Sequence, residues 1–479
     1  MKNTRSKARV SLLIVTLLPG VLLAQQPQKP NGDTISNARH EFSAKQAVEY
    51  AAKNNVRVKN ALLDVKYQEQ VNREYTSRAY PSINGNLGTS YNPNVATTVL
   101  PNFISPSVYQ VLIDKQVRDG SGNAITMPGD FGFIEAQFGT RYSATAGLSL
   151  NQILFDGQVF VGLQARSTAV EFAQKNADVT ELMIRSNIYK IYYQLVASKT
   201  QVQLIDANIN LLEKNLKDTR ILYSNGFAER LDIDKVSVQL TNLQTEKTRV
   251  VNNVSNGYYG LKVLMGMPIA EELILTDTLS DERIRDGLLE SPIYSYDDRL
   301  EYQSAQLGKS LQEYNVRRYK LSQYPTISLG GNYTKSAQRG KWDFLNKGEW
   351  FTIASVNLNV NVPIFNGFYT KSKIAQAKID LQKTQNQIVD LQNTIDNEVK
   401  VARNDLLAAI SRMDFQKTNM SLAEEVYNQT KKKYEGGVGS QTEINRAQND
   451  LAVAQTNYIN ALYDAIIAKV DYLKAVGKL

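Results

Sequence analysis

Tyr434–Leu451 reads YEGGVGSQTEINRAQNDL. Its three glycines, Gly436, Gly437 and Gly439, interrupt a sequence that is otherwise poor in glycine and proline for many helical turns. Such a cluster either cradles a phosphate or reverses the chain. It lacks the Gly-Lys-Ser/Thr ending of a phosphate loop, and no strand precedes it. It is therefore read as a tight turn between two helices, with glycine supplying positive φ. The turn has a twin: YSNGFA, Tyr223–Ala228, precedes YEGGVG by 211 residues, and LDIDKVSVQL (231–240) aligns with TEINRAQNDL (442–451) at the same offset. FDGQVF from Phe155 matches FNGFYT from Phe365, and LKVLMG, ending at Gly266, matches LKAVG, ending at Gly477. YPSINGNLG from Tyr80 and YPTISLGGN from Tyr324 form a further pair, offset by 244. The order is the same in both halves, which reads as an internal duplication.

Long helices flank the turns. After the glycines, Ile444, Ala447, Leu451, Ala454, Tyr458, Ala461, Ala465, Ala468 and Tyr472 keep a three–four alternation without a break, a coiled-coil seam whose alanines permit close helix approach. From Ile374 to Ala402 a similar seam is interrupted only at Thr384 and Glu398. The spans Gln158–Tyr223 and Phe368–Tyr434 would each reach about 100 Å at roughly 1.5 Å per residue. A tube or long bundle accommodates such helices. Ser43–Arg78 and Arg230–Gly266 are read as helices of about half that length, so that two stacked end to end match one long helix.

Between the helices the period changes to two. Tyr142, Ala144, Ala146, Leu148 and Leu150 alternate with Ser143, Thr145, Gly147, Ser149 and Asn151. Thr352–Val362 alternates likewise, and Ile83, Leu87 and Tyr91, like Ile327, Leu329 and Tyr333, oppose small polar neighbours. Segments of about ten residues with one apolar and one uncharged polar face are the mark of outer-membrane strands. Tyr80, Trp350 and Phe365 sit where an interfacial aromatic girdle belongs. A soluble sheet alternates too, but a face of Asn, Ser, Thr and Gly suits a pore lining better than a soluble surface. Four strands cannot close a barrel, and open edges are forbidden in lipid, so membrane strands require an oligomer.

Composition narrows the chemistry. The 479 residues contain no cysteine and one histidine, His40, which removes disulfides, cysteine nucleophiles and most imidazole sites. His40 is read as a solvated residue. Residues 1–24 resemble a secretory signal: Lys2, Arg5, Lys7 and Arg9 precede a mostly apolar run, Val10–Leu23, and Ala24 offers a cleavage site. Removing those four basic residues halves the formal charge of +8 and weakens any nucleic-acid reading. No later stretch has the roughly 18 apolar residues of a spanning helix.

Together the duplicated strand–helix order, the Phe-Asp/Asn-Gly turns, the Tyr-Pro strand starts, the Gly-rich hairpins and the SAKQAVEYAAKNN helix resemble the TolC-like outer-membrane efflux proteins. The resemblance runs from about Glu41 to Leu479. It implies an α+β membrane fold: a homotrimer in which each protomer gives four strands to a shared 12-stranded outer-membrane β-barrel, continued by a periplasmic α-helical barrel. It also implies a gated exit duct in a tripartite efflux or type I secretion system, served by a periplasmic adaptor (membrane fusion protein) and an inner-membrane pump. The partners expected are these and outer-membrane lipid, with no nucleic acid, cofactor, metal or catalytic residue. A soluble periplasmic coiled-coil scaffold is the alternative.

The organisation read from the sequence is a signal at 1–24, a first repeat at 25–267, a linker or belt region at 268–292 and a second repeat at 293–479. Asn225, Gly226, Gly436, Gly437 and Gly439 are the tip turns. Phe155, Asp156 and Gly157, with Phe365, Asn366 and Gly367, are the strand-to-helix turns. Glu229, Arg230, Asp232, Asp234, Glu443, Asn445 and Arg446 are the gate or latch candidates. Two readings of the tip carboxylates stay open: a selective ring at a constriction, or solvated acids favoured at helix starts by the macrodipole. An ion pair from Arg230 or Arg446 to the adjacent hairpin is the candidate latch. Two details depart from the family pattern: Val56 follows Asn55 where proline is common, and the loop 92–141 is about 50 residues long against about 16 in the second half. Pro101, Pro106, Gly120, Gly122 and Pro128 mark that long loop as irregular.

Overall fold

The structure, a computed structural model, describes residues 39–281, 284, 294–345 and 348–479. The leader read over residues 1–24 lies outside the described residues, as does the 268–292 connection beyond Asp281 apart from Ile284.

The helical frame follows from where glycine and proline are absent. Helix α4, Gly157–Ser224, has 68 residues and helix α7, Tyr369–Glu435, has 67; each is about 100 Å long. Helices α5 (Arg230–Met265) and α8 (Gln441–Ala475) return along them. The seam between α7 and α8 buries Ala409, Met413, Ala461, Leu462 and Ala465, so small residues do bring these helices close. Helix α6, Leu300–Leu321, packs beside both long helices.

The half-length helix read over Ser43–Arg78 is instead two, α1 (Ala44–Asn54) and α2 (Val56–Ser77). Asn55 makes the break without proline. Its Oδ1 accepts from the N–H groups of Arg57 (2.7 Å) and Val58 (3.2 Å), capping α2, while its Nδ2 donates to the Leu264 carbonyl at 2.6 Å, capping the end of α5. Arg299 takes the corresponding place before α6, where its guanidinium donates to the Ala475 carbonyl (2.8 Å) at the end of α8. Helices α5 and α8 both end in a Schellman pair: Met267 N–H to Lys262 O (2.8 Å) with Gly266 N–H to Val263 O (3.1 Å), and Lys478 N–H to Leu473 O (2.8 Å) with Gly477 N–H to Lys474 O (3.1 Å). Gly266 and Gly477 sit at φ +71° and +75°, and a β-carbon on Gly477 would lie 2.6 Å from the Asp298 carbonyl.

The sheet is antiparallel, in the order β2 (Ser82–Tyr91), β5 (Tyr142–Phe155), β7 (Thr326–Arg339), β8 (Phe351–Asn361). Its register keeps the two faces apart across all four strands. Ile83, Leu150, Gly331 and Val356 form one row, and Asn84, Ser149, Asn332 and Ser355 the next. On the apolar face Ile83, Leu87, Leu148, Val356, Leu358 and Val360 are exposed. Among the described residues edge strands β2 and β8 have no partner on their outer sides.

Two regions depart from expectation. The 92–141 loop is not irregular throughout: it holds β3 (Thr97–Pro101) paired with β4 (Phe133–Gln137), and helix α3 (Ile104–Asp114) between them. Pro106 lies in the first turn of α3, where no helical N–H is required, and Asn102 caps that turn by accepting from Ser105 N–H at 3.0 Å. The second departure is a parallel ladder between β1 (Arg39–Phe42) and β6 (Glu272–Leu275), which ties the start of the described chain to the 268–292 connection. Tyr192, fully buried on α4, donates its hydroxyl to Phe42 O (2.8 Å) and accepts from Asp277 N–H (3.1 Å). His40 is consequently not a solvated residue. Its ring packs beside Phe42 and Tyr50, with Nε2 3.0 Å from the Glu271 carboxylate.

Candidate functional site

At both tips the chain turns in the same way. Gly226 N–H bonds to Tyr223 O (3.0 Å) and Phe227 N–H to Leu222 O (2.9 Å); Gly437 N–H bonds to Tyr434 O (3.0 Å) and Val438 N–H to Lys433 O (3.1 Å). Each is a Schellman ending. Gly226 (φ +80°) and Gly437 (φ +76°) hold the left-handed position, preceded by the cap residues Asn225 and Gly436. Gly436 has φ −80°, and Gly439 serves a different purpose: a β-carbon there would lie 2.9 Å from Tyr434 N. The phosphate reading ends here, because these amide groups are bonded to helix carbonyls. Open space surrounds Gly437, so Gly437→Ala is expected to cost only the left-handed conformation, about 1 kcal/mol. Gly436→Ala, at an ordinary φ, is expected to cost less, and thermal unfolding of the two variants checks the order.

Past each glycine one apolar side chain projects into solvent: Phe227 is 81% exposed and Val438 78%. The helices that follow start with polar caps. Ser440 accepts from Glu443 N–H at 3.2 Å, and Glu229 N–H donates to the Asp232 carboxylate at 3.3 Å. Asp232 also lies 3.7 Å from Lys235. Glu229, Arg230, Asp234, Glu443 and Arg446 are exposed. Among the described residues neither Arg230 nor Arg446 reaches a carboxylate.

Lys190 on α4 pairs with Asp471 on α8 at 2.6 Å far from the tips, but the hydrogen bonds that join the two hairpins near the tips are uncharged. Asn445, buried at 6% exposure, accepts at Oδ1 from Asn215 Nδ2 (3.1 Å) and Gln441 Nε2 (2.9 Å), and Gln441 Nε2 also donates to Asn215 Oδ1 (3.1 Å). The three amides connect α4 of the first hairpin to α8 of the second. Beside them a groove of about 270 Å³ between α4, α5 and α8 is lined mostly by amides, among them Asn208, Gln239 and Gln448, with Leu212, Leu243 and the Glu246 carboxylate. Charge approaches this junction at Tyr434, whose phenol is raised by burial and by the nearby Asp232 and Asp218 carboxylates. Sequence reading found Asn445 but missed Asn215, a polar residue on a long helix whose importance comes only from its partner 230 residues away.

The two Phe-x-Gly turns differ in conformation. Asp156 caps α4 by accepting from Gln158 N–H at 2.8 Å, and Gly157 is buried, where a β-carbon would lie 2.7 Å from Leu321 Cβ. After Phe365, Asn366 bonds instead to Thr370 Oγ1 (2.6 Å), Gly367 has open space around it at φ +62°, and Phe368 is also left-handed at +65°.

Farther along the bundle, Asp396 accepts from the hydroxyls of Tyr294 (2.7 Å) and Tyr296 (2.9 Å). Those bonds lower the Asp396 carboxyl and push the Tyr294 phenol up to about 12. Because the folded phenol titrates above its ordinary value near 10, its contribution to stability is complete below pH 10 and disappears as pH rises through about 12. The Asp396 contribution has the opposite sense: present above the ordinary carboxylate range, it is lost as pH falls through the lowered value. Asp396→Asn should return the Tyr294 phenol toward about 10 and lower that of Tyr296 as well, read from the phenolate absorbance.

Among the described residues no group of histidine, cysteine or carboxylate side chains could hold a metal, and no helix is long and apolar enough to cross a membrane. Residues 298–478 match the family model described as outer membrane efflux protein. The chain is 18% identical to outer membrane protein TolC of Vibrio cholerae serotype O1 over 336 residues, covering 70% of this chain and 77% of the relative. It is 24% identical to outer membrane efflux protein BepC of Brucella suis biovar 1 over 345 residues, covering 71% and 73%. The solved structure of CusC, described as forming a transmembrane channel, superposes with a TM-score of 0.72 at 14% identity, covering 91% of this chain and 92% of CusC. The fold is that of the TolC-like outer-membrane channels.

Proposed function

We propose that this chain, which carries an outer membrane efflux protein domain over residues 298–478, is one protomer of a homotrimeric outer-membrane exit duct. The observation that carries the reading is the four-stranded sheet: one face exposes Leu87, Leu148, Val356 and Leu358, the other is uncharged, and both edges are open. Water penalises such an apolar face; lipid accepts it once the edges are paired between copies. Three copies would close a 12-stranded barrel with the uncharged face as its lining. A soluble periplasmic scaffold would leave that apolar face in water. Carbonate washing separates the two readings: the duct stays in the membrane fraction and requires detergent, whereas a scaffold is released.

The long helices then form a periplasmic barrel, and the tips are its gated end. A periplasmic adaptor would grip the exposed Phe227 and Val438 and favour an open arrangement by binding it more tightly. An inner-membrane pump would supply the energy, and the duct itself is passive, with no reaction, cofactor or metal. The repeats at 25–267 and 293–479, joined through 268–292, are read as an ancient duplication, supported by the matching caps at Gly266 and Gly477 and at Gly226 and Gly437. Residues 1–24 act as the export signal. Asp232, Asp234 and Glu443 lie at the starts of the helices that follow the tips and are the candidate gate carboxylates. Alanine at all three is expected to raise conductance or shift ion selectivity in planar bilayers; unchanged values would remove them from the gate.

A further inference from the structure

Helix α3, in the loop between β2 and β5, is apolar on two sides. One side rests on its own hairpin, where the Tyr109 ring meets Phe131 edge-on at 5.4 Å. The other carries Phe103 (62% exposed), Ile104 (54%), Val108 (50%) and Val111 (58%). The spacing from Ile104 through Val108 to Val111 places these side chains on one helical stripe, where a surface helix bounded by water would be polar. A contiguous apolar patch of this kind marks an interface.

The opposite loop, between β7 and β8, has a matching feature. It lays Phe344 on the apolar face against Ala144 and Ala337, with Trp350 alongside, yet leaves Trp342 57% and Leu345 93% exposed. Tyr91, Tyr142 and Arg339 share one end of the register, and Ser336 pairs with Phe351, so both loops leave the sheet at the same end. The first loop springs from edge strand β2 and the second leads into edge strand β8. Neighbouring strands in the sheet are antiparallel throughout, so β8 of one copy can continue the pattern with β2 of the next. That pairing brings the second loop of one copy against the first loop of its neighbour.

We propose that the Ile104–Val108–Val111 face of α3 is a docking surface for a second copy of this chain and receives its Trp342 and Leu345. The loops then interlock around the outer end of the barrel and clamp each β2–β8 seam from above. The proposal rests on the exit-duct reading, because the seam that aligns the loops exists only in the closed oligomer.

The absence of cysteine makes the test direct. Val108→Cys with Leu345→Cys is introduced into the full chain, which is extracted in detergent, sized, and treated with oxidant or a short bis-maleimide. The expected result is a trimer by sizing that runs as linked dimers and trimers on denaturing gels, with each single variant remaining monomeric there. A second variant, Ile104→Asp with Val111→Asp, is expected to lower the temperature at which the trimer dissociates in detergent. A particle that sizes as a trimer, forms no link with either reagent and keeps its dissociation temperature in the aspartate variant overturns the loop contact and leaves the duct standing. A particle that sizes as a monomer overturns both.

Discussion

Asn445→Leu is expected to raise the time-averaged conductance of single purified channels by a large factor. The carboxamide oxygen of Asn445 accepts from both Asn215 and Gln441, and these bonds tie α4 to α8 at the tip. Leucine fills a similar space and accepts nothing, which leaves the half-buried Asn215 amide without its acceptor and Gln441 with Asn215 alone, at about 1–3 kcal/mol. If that junction is broken when the tips separate, the loss falls on the closed arrangement alone. A shift of about 1.4 kcal/mol changes the ratio of open to closed tips tenfold. Asn449→Ala, at an exposed position on the same helix, is the control; surface changes of this kind stay within about 0.5 kcal/mol. Planar-bilayer recordings compare the two variants. Wild-type conductance in Asn445→Leu would show that the amides fix the packing of the hairpins without holding the gate. Because the junction is uncharged, its hold should also depend little on salt, unlike an arginine latch between exposed groups.

The largest stability effect is expected at Arg299. Its side chain is 4% exposed and is held by Glu301 (3.2 Å), Glu398 (2.9 Å) and the Ala475 carbonyl (2.8 Å). It thereby joins the start of α6 to the middle of α7 and the end of α8. Arg299→Met keeps the apolar stem and strands all three acceptors. Breaking a buried pair by removing one partner costs about 3–5 kcal/mol. Glu398 is half exposed and recovers hydration, which places this variant near the lower end, at about 3 kcal/mol. Arg299→Lys restores charge but not the forked geometry that spans three acceptors, so it should fall between. Thermal unfolding followed by circular dichroism gives the order, and equal stability of Arg299→Met and wild type would remove this residue as a keystone.

Different kinds of information made the fold legible to different degrees. The long helices were readable from Gly157 to Ser224 and from Tyr369 to Glu435 to within a residue or two, because helical periodicity and the lack of breakers are local properties. The sheet faces were readable because the strand period survives intact in each of the four strands. What escaped notice depended on partners distant in sequence. Strands β1 and β6, RHEF and ELIL, have four residues each, too few to establish a period. They exist because Tyr192 and the core around Ala47, Ile188 and Leu261 hold them together. The break at Asn55 needed one side-chain amide to serve the start of α2 and the end of α5, which no local signal encodes. At the tips, glycine marked the turns, but the junction between the hairpins was only partly visible. Asn445 fell among the candidates for its place after the turn, whereas Asn215 resembles any polar residue on a long helix until α8 packs against it.

The central claim is that three copies enclose a conduit across a lipid bilayer. Planar-bilayer recording of the detergent-purified chain tests it most directly. The exit-duct account predicts discrete current steps, small with the tips closed, and a larger time-averaged current in Asn445→Leu. A bilayer that stays silent after addition of wild type and Asn445→Leu alike would contradict it.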